Sequence, residues 1–390
     1  MRIIMKECRK ILDLRVLAVI AVFTFLFYRM FMEYAFSVNE WWSDAVFSLR
    51  EELMEEVGAT LVKEELPALY GKRQELVSKI DGHEAAEAGM EEAGVRGFEE
   101  LSMLYYEAPG TNGKISDLWF RAGEVTEYIR QVEDLDDLAA RCLYEGDFSV
   151  PPQDAERIIR ERYGAIASPL FVEATTRFCR REQSMLPHSV LLRVLWPDMR
   201  KMTVLLVICN FLLLVPYQVH ERLRGVLPLY AATRTGRGIF RKQFWAGLIS
   251  CGILCAVQLA VYSGVFMARG LGAFWKCPAW SDTVTATWFP FSFGAYMAVY
   301  LLMTWLFAMG GGALAYCIGR WASNYVAGIA AAIPMGGAAC WIGQTMLHSV
   351  FWFYLDVRMP LWEIPALAVW LSAAGCLAAL VFGNDKRRGL

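Results

Sequence analysis

Residues 283–319 run for 37 positions without one charged side chain. A helix of that composition is not solvated by water, and about 20 apolar residues already cross the hydrocarbon of a bilayer. Residues 202–219, 243–268, 321–355 and 364–382 are also free of Asp, Glu, Lys and Arg, and a shorter apolar run follows Arg15. With 56% hydrophobic residues and 14 Trp in 390, the chain is too apolar for ordinary soluble domains. It reads as an all-α integral membrane protein with six transmembrane helices.

Charge assigns the sides. Residues 34–199 hold 32 Asp and Glu against 17 Lys and Arg, whereas the rest of the chain holds 8 against 21. By the positive-inside bias the basic loops face the cytoplasm, so residues 34–199 are expected to form a large extracellular domain between helices 1 and 2. Its patterns are helical: Val46, Leu49, Leu53, Val57 and Leu61 recur at three and four, as do Leu118, Ala122, Val125, Ile129, Val132, Leu135 and Leu138. Turns are expected at Gly71, Asp81-Gly82, residues 109–113, residues 145–147 and Pro151-Pro152, and Ser168-Pro169 opens a further helix. These stripes predict core packing rather than a peptide groove.

Residues 1–14 predict an amphipathic helix on the cytoplasmic membrane surface. Met1, Ile4, Met5, Cys8, Ile11 and Leu12 share one arc, and Arg2, Lys6, Arg9, Lys10 and Asp13 take the other. The first span covers residues 15–33. A secretory signal peptide competes for this stretch, but Arg29, Met30 and Phe31 stand where a small-residue cleavage site belongs. Residues 200–390 then carry helices 2–6 at about 202–219, 243–268, 293–319, 321–344 and 364–382. The aromatic run from Phe351 to Tyr354, within a segment of about 346–363, predicts a short re-entrant helix, and the chain closes on Lys386, Arg387 and Arg388. Both termini are expected in the cytoplasm of a multi-pass plasma-membrane protein of bacterial type.

The most informative connector is 220–242, HERLRGVLPLYAATRTGRGIFRK, with six basic residues against the single acid Glu221. Residues 218–227 fit a short helix that Gly225 and Pro228 end, while Arg241 and Lys242 anchor the next span at the headgroups. Its pattern resembles the signature loop of the ABC-2 type permease family, the membrane subunits of one class of ABC transporters. The matching positions are Glu221, Gly225, Thr233, Gly236, Arg237 and Lys242. The resemblance implies that two permeases, identical or related, join two ATPase subunits, with Glu221, Arg222, Arg224, Gly225, Arg234, Arg237 and Lys242 coupling this chain to the motor. It also agrees with a re-entrant helix before the last span. The long domain after helix 1 departs from the short loops of many relatives, which leaves the substrate class open.

Other sites are sparse. No charged residue falls in the expected helices 2–6, where proton and sodium relays place theirs. The chain has no P-loop: residues 110–116, GTNGKIS, lack the required glycine spacing. ATP and Mg are therefore expected in a separate ATPase, with no cofactor in this chain. Four histidines stand far apart and form no HExxH, so neither enzymatic activity nor a metal site is expected. Nucleic acid is not an expected partner, and the lipid bilayer is. Asn210, Gln258, Tyr262, Tyr296, Thr304, Asn324 and Gln344 are polar residues inside the spans, each a candidate for a substrate path or for bonding a neighbouring helix. Ser263 belongs with them. Gly310–Gly312 and Gly336-Gly337 predict close helix approach. Cys142 and Cys179 fall in the acidic segment, where an exported domain would allow them to pair, although the sequence does not require it. The expected activity is export of a peptide, lipid or antibiotic-like amphiphile. A second reading is an ABC-linked mechanical transmitter or sensor that works through the extracellular domain without transport.

Overall fold

The computed structural model describes residues 2–33, 43–107, 123–143, 152–163, 168–179, 182–187, 190–225, 239–279, 287–351 and 361–387. Six of its helices are long and apolar enough to cross a membrane: Leu14–Met32, Val190–Leu223, Ile239–Leu271, Phe293–Trp321, Tyr325–Met346 and Glu363–Gly383. They fit a multi-pass membrane protein. A short helix, α1 (Arg2–Ile11), precedes them, and α2 (Leu14–Phe27) continues through a π turn at Tyr28–Met32 into the first span.

The next helices follow the expected stripes. α3 (Asp44–Val57) buries Phe47, Leu49 and Leu53, and its N-cap Ser43 accepts a hydrogen bond from Val46 N at 3.2 Å. Leu61 is buried in a two-residue strand, β1 (Thr60–Leu61). α4 (Leu66–Asp81), α5 (Glu84–Ala93) and α6 (Phe98–Glu107) follow, then α7 (Gly123–Leu143), which buries Val125, Ile129, Val132, Leu135 and Leu138. α8 (Pro152–Tyr163) opens on the expected proline, and α9 (Pro169–Cys179) is capped by Ser168, whose Oγ accepts from Phe171 N. β2 (Gln183–Ser184) pairs antiparallel with β1.

Between these helices lies a buried cation. Arg50 forms a bidentate pair with Asp134 at 2.7 and 2.8 Å and donates to Met185 O at 3.0 Å, tying α3 to α7 and to the β2 segment. Arg73 reaches Asp136 on α7 and Glu99 on α6, and the Glu99 carboxyl is held below its ordinary range by that guanidinium.

The span helices are α10 (Trp196–Leu223, entered through a π turn at Val190–Leu195), α11 (Ile239–Phe266, continued by a π turn to Leu271), α12 (Phe293–Trp321), α13 (Tyr325–Met346) and α14 (Glu363–Arg387). α10 and α12 form the centre. α12 carries three consecutive glycines, each against a different neighbour: Gly310 meets Trp370 of α14, Gly311 meets Val207 of α10, and Gly312 meets Cys251 of α11. Without a hydrophobic drive between helices in lipid, such close packing carries much of their association. Trp370 also stacks on Phe307 at 4.8 Å and donates its Nε1 hydrogen to Phe307 O at 3.0 Å.

Several expectations change. The second span begins at Val190 rather than near residue 200, because the π turn accommodates Pro197, which lacks an N–H, and the helix runs on without a break. Arg193, Asp198, Arg200 and Lys201 therefore lie on that long helix, ahead of its uncharged run 202–219. Gly71 lies inside α4 rather than at a turn. Met5 is exposed, while Glu7 takes its place on the buried side of α1. Residues 218–223 belong to α10 rather than to a separate helix, and Gly225, at φ 66°, closes it in the left-handed conformation glycine favours, while residues 226–227 lie outside the described ones. The turns at 109–113 and 145–147, Leu118, Ala122, Arg388 and most of the expected re-entrant segment (352–360) lie outside the described residues.

Candidate functional site

Two places gather polar side chains in the span helices: the end that leads into the connector, and a cavity beside α2.

At the connector end, five helices interlock. Glu7 of α1 is buried and accepts a hydrogen bond from the Tyr217 hydroxyl of α10 at 2.6 Å, while Lys10 donates to its other oxygen at 2.8 Å. Arg222 Nη1 donates to the last carbonyls of α12 and its exit, 3.1 Å from Trp321 O and 2.7 Å from Ala322 O, which places a cation at that helix's negative end. The Tyr325 hydroxyl at the start of α13 lies 3.2 Å from His220 Nδ1. Tyr316 of α12 donates to Phe240 O of α11 at 3.3 Å, and the Arg320 guanidinium stands 4.1 Å above the Phe240 ring. Amid these contacts Glu221 is buried, and its Oε2 has no hydrogen-bond partner among the described residues. Gln218 Nε2 and Gln243 Nε2 are likewise buried and unpartnered there.

Of the residues expected to couple to a motor, the structure brings Glu221 and Arg222 into this cluster. Arg224 and Gly225 are exposed at its edge, and Lys242 lies half-buried in the first turn of α11. Arg234 and Arg237, with Thr233 and Gly236, lie outside the described residues. Glu7 escaped the sequence reading although its signal was present: it falls three residues from Ile4 and four from Ile11, an acid on the apolar stripe.

The cavity, about 480 Å³, lies between α2, α10 and α11. Gln258 and Tyr262 line it, together with Thr24 and Tyr28 of α2, and the remaining walls are aliphatic or aromatic. Gln258 Nε2 donates to Thr24 Oγ1 at 2.8 Å, the main polar tie between α2 and the other helices. One turn before Met202 on α10, Asp198 is fully buried and binds Lys201 Nζ through Oδ1 at 3.1 Å. The Tyr262 hydroxyl faces Asp198 without reaching ordinary hydrogen-bond geometry, and it, Asp198 Oδ2 and Gln258 Oε1 have no other partner among the described residues.

The other expected path residues go elsewhere. Asn210 ties three helices, donating to Ala308 O at 2.8 Å and accepting from Cys255 Sγ at 3.5 Å. The Tyr296 hydroxyl joins Trp196 Nε1 to Val350 O, Asn324 caps α13 through Ala327 N, and Ser263 bonds Leu259 O within its own helix. Thr304 is buried in α12 with an unpartnered hydroxyl, and Gln344 is half-buried on α13; neither lines the cavity. Asn210 and Tyr296 hold helices together because a polar group in apolar surroundings is costly unless it is bonded.

Cys142 is a buried free thiol 3.9 Å from Leu61 O, and the side chain of Cys179, its expected partner, lies outside the described ones. Burial pushes the Cys142 thiol up to about 12. Among the described residues no group of three His, Cys, Asp or Glu is placed to hold a metal ion. No family model, curated protein or solved structure matches the chain.

Proposed function

We propose that the chain is the permease subunit of an ATP-driven transporter of the ABC-2 type, an exporter whose ATPase is a separate polypeptide. The observation that supports this most is the buried Glu221 at the exit of the second span, in a connector resembling the family's signature loop, locked by Tyr217, Arg222 and His220 to α1, α12 and α13. A push on this connector reaches several helices at once. In this reading residues 220–242 face the cytoplasm, α3–α9 lie outside the cell, and a second permease completes the path. ATP and Mg belong to the motor.

Arg222→Ala removes the tie to the end of α12 without emptying a core position. It is expected to leave the ATPase bound and hydrolysing while lowering ATP-dependent efflux at least tenfold. Purification from mild detergent is the first check: a chain that brings no P-loop ATPase with it rejects the proposal.

One observation favours a mechanical transmitter as the second reading. The helical domain rests directly on the far ends of the span helices, through Phe47 edge-on to Phe274 at 5.9 Å, Cys277 Sγ at 3.2 Å from Met54 Sδ, and Arg177 Nη2 donating to Trp288 O at 2.6 Å. Deleting residues 40–195 separates the readings. Export that survives the deletion rejects the transmitter; an absence of export in the intact complex, with loss of a partner's activity on deletion, rejects the exporter.

A further inference from the structure

The cavity between α2, α10 and α11 is built along its length. One end is apolar, with Leu17 and Ile20 of α2, Leu205 of α10 and Leu254 of α11. Four residues past Ile20 and Leu254 the walls become polar: Thr24 and Gln258 first, then Tyr28 and Tyr262 four farther on, with Asp198 behind Tyr262. Spacings of four place Thr24 with Tyr28, and Gln258 with Tyr262, on shared helix faces. The cavity opens sideways, since Phe25, Val257 and Val261 line it and are also exposed, so its mouth is where bilayer lipid would stand.

The polar end is unfinished. Asp198, Tyr262 and Gln258 are each more than nine-tenths buried, and Asp198 Oδ2, Gln258 Oε1 and the Tyr262 hydroxyl have no partner among the described residues. Two of these three atoms are pure acceptors. A buried acceptor without a donor is costly, so the ligand that completes the site brings donors. Asp198 opposes a negative head group, and its own charge is already matched by Lys201, so no positive charge is demanded. The volume falls within the roughly 300–1,000 Å³ of small-ligand sites.

We propose that this cavity is a lateral binding site for a single-chain amphiphile whose head group donates hydrogen bonds and carries no negative charge. The alkyl chain lies toward Leu17 and Leu254, and the head meets Gln258 and Tyr262, with Asp198 behind them. As a substrate class for export this rests on the permease reading; as a binding site it does not.

Three probes with one chain length test it: monolauroylglycerol, which donates, methyl laurate, which does not, and laurate, which is anionic. Each is titrated onto the full chain in phosphatidylcholine nanodiscs free of detergent. Monolauroylglycerol is expected to saturate near one per chain and to bind about tenfold or more tighter than the other two. Tyr262→Phe discriminates further, because deleting an unpartnered buried hydroxyl leaves the thermal midpoint unchanged or higher while weakening monolauroylglycerol severalfold. Ala21→Trp, at the half-open wall, is expected to abolish binding. Equal binding of the three probes, or binding indifferent to both substitutions, overturns the proposal. Displacement of monolauroylglycerol by diacylglycerol or phosphatidylethanolamine added to the discs, each with two chains and the second with a phosphate, would overturn the single-chain assignment. Binding that passes these tests in a chain that recruits no ATPase keeps the site and removes the transport reading.

Discussion

Asn210 and Cys142 show how little a residue's type reveals of its task. Asn210 looks like a pore residue, yet both ends of its amide are spent on Ala308 O and the Cys255 thiol. Asn210→Ala is therefore expected to lower stability by about 1–3 kcal/mol, read as a lower thermal midpoint in detergent, with little effect on ligand in the cavity. Cys142 was legible as a disulfide half only through its acidic neighbourhood. With its thiol pushed up to about 12, the thiolate is about a thousandth of the population at pH 9. Iodoacetamide at pH 9 should leave Cys142 intact in the folded chain and modify it fully after unfolding without reductant; protection that persists in the unfolded chain would reveal a disulfide. The sequence hid Asp198 for a related reason: Pro197 reads as a boundary, and only the π turn before it carries the helix past.

At the level of the element, spans two to six were legible because uncharged runs of about 18 residues or more have few other fates, and the stripes on α3 and α7 were legible because their apolar spacing survives as burial. Ends were less so. Glycine in α12 and α13 illustrates what composition leaves open, since similar small-residue runs have unlike surroundings. A methyl at Gly319 would stand 2.8 Å from Gln218 Cβ and 3.1 Å from Val215 Cα, so α10 and α12 would have to separate, whereas Gly337 has nothing within 4 Å. Gly319→Ala is expected to lower the thermal midpoint by several degrees. Gly337→Ala, in an open helix position, is expected to hold or raise it.

For the whole molecule, the charge division between residues 34–199 and the remainder predicts opposite sides for Arg96 and Arg224. Single cysteines at these positions, labelled in intact cells with a membrane-impermeant maleimide, should react at 96 and stay protected at 224 until the cells are opened. Reaction at 224 in intact cells would invert the topology and overturn the proposed coupling to a cytoplasmic ATPase. The fold class was legible because lipid permits so few solutions to backbone hydrogen bonding. The sideways cavity was not, since it depends on how far α2 stands from α10 and α11, a distance that no pattern within one helix encodes.

The three glycines of α12 have a mechanical implication. Because Gly310, Gly311 and Gly312 bring three other helices against one short level of a single rod, that level works as a fulcrum. Helices pinned at a shared depth scissor rather than slide, so an inward squeeze at one rim becomes a spreading at the opposite rim.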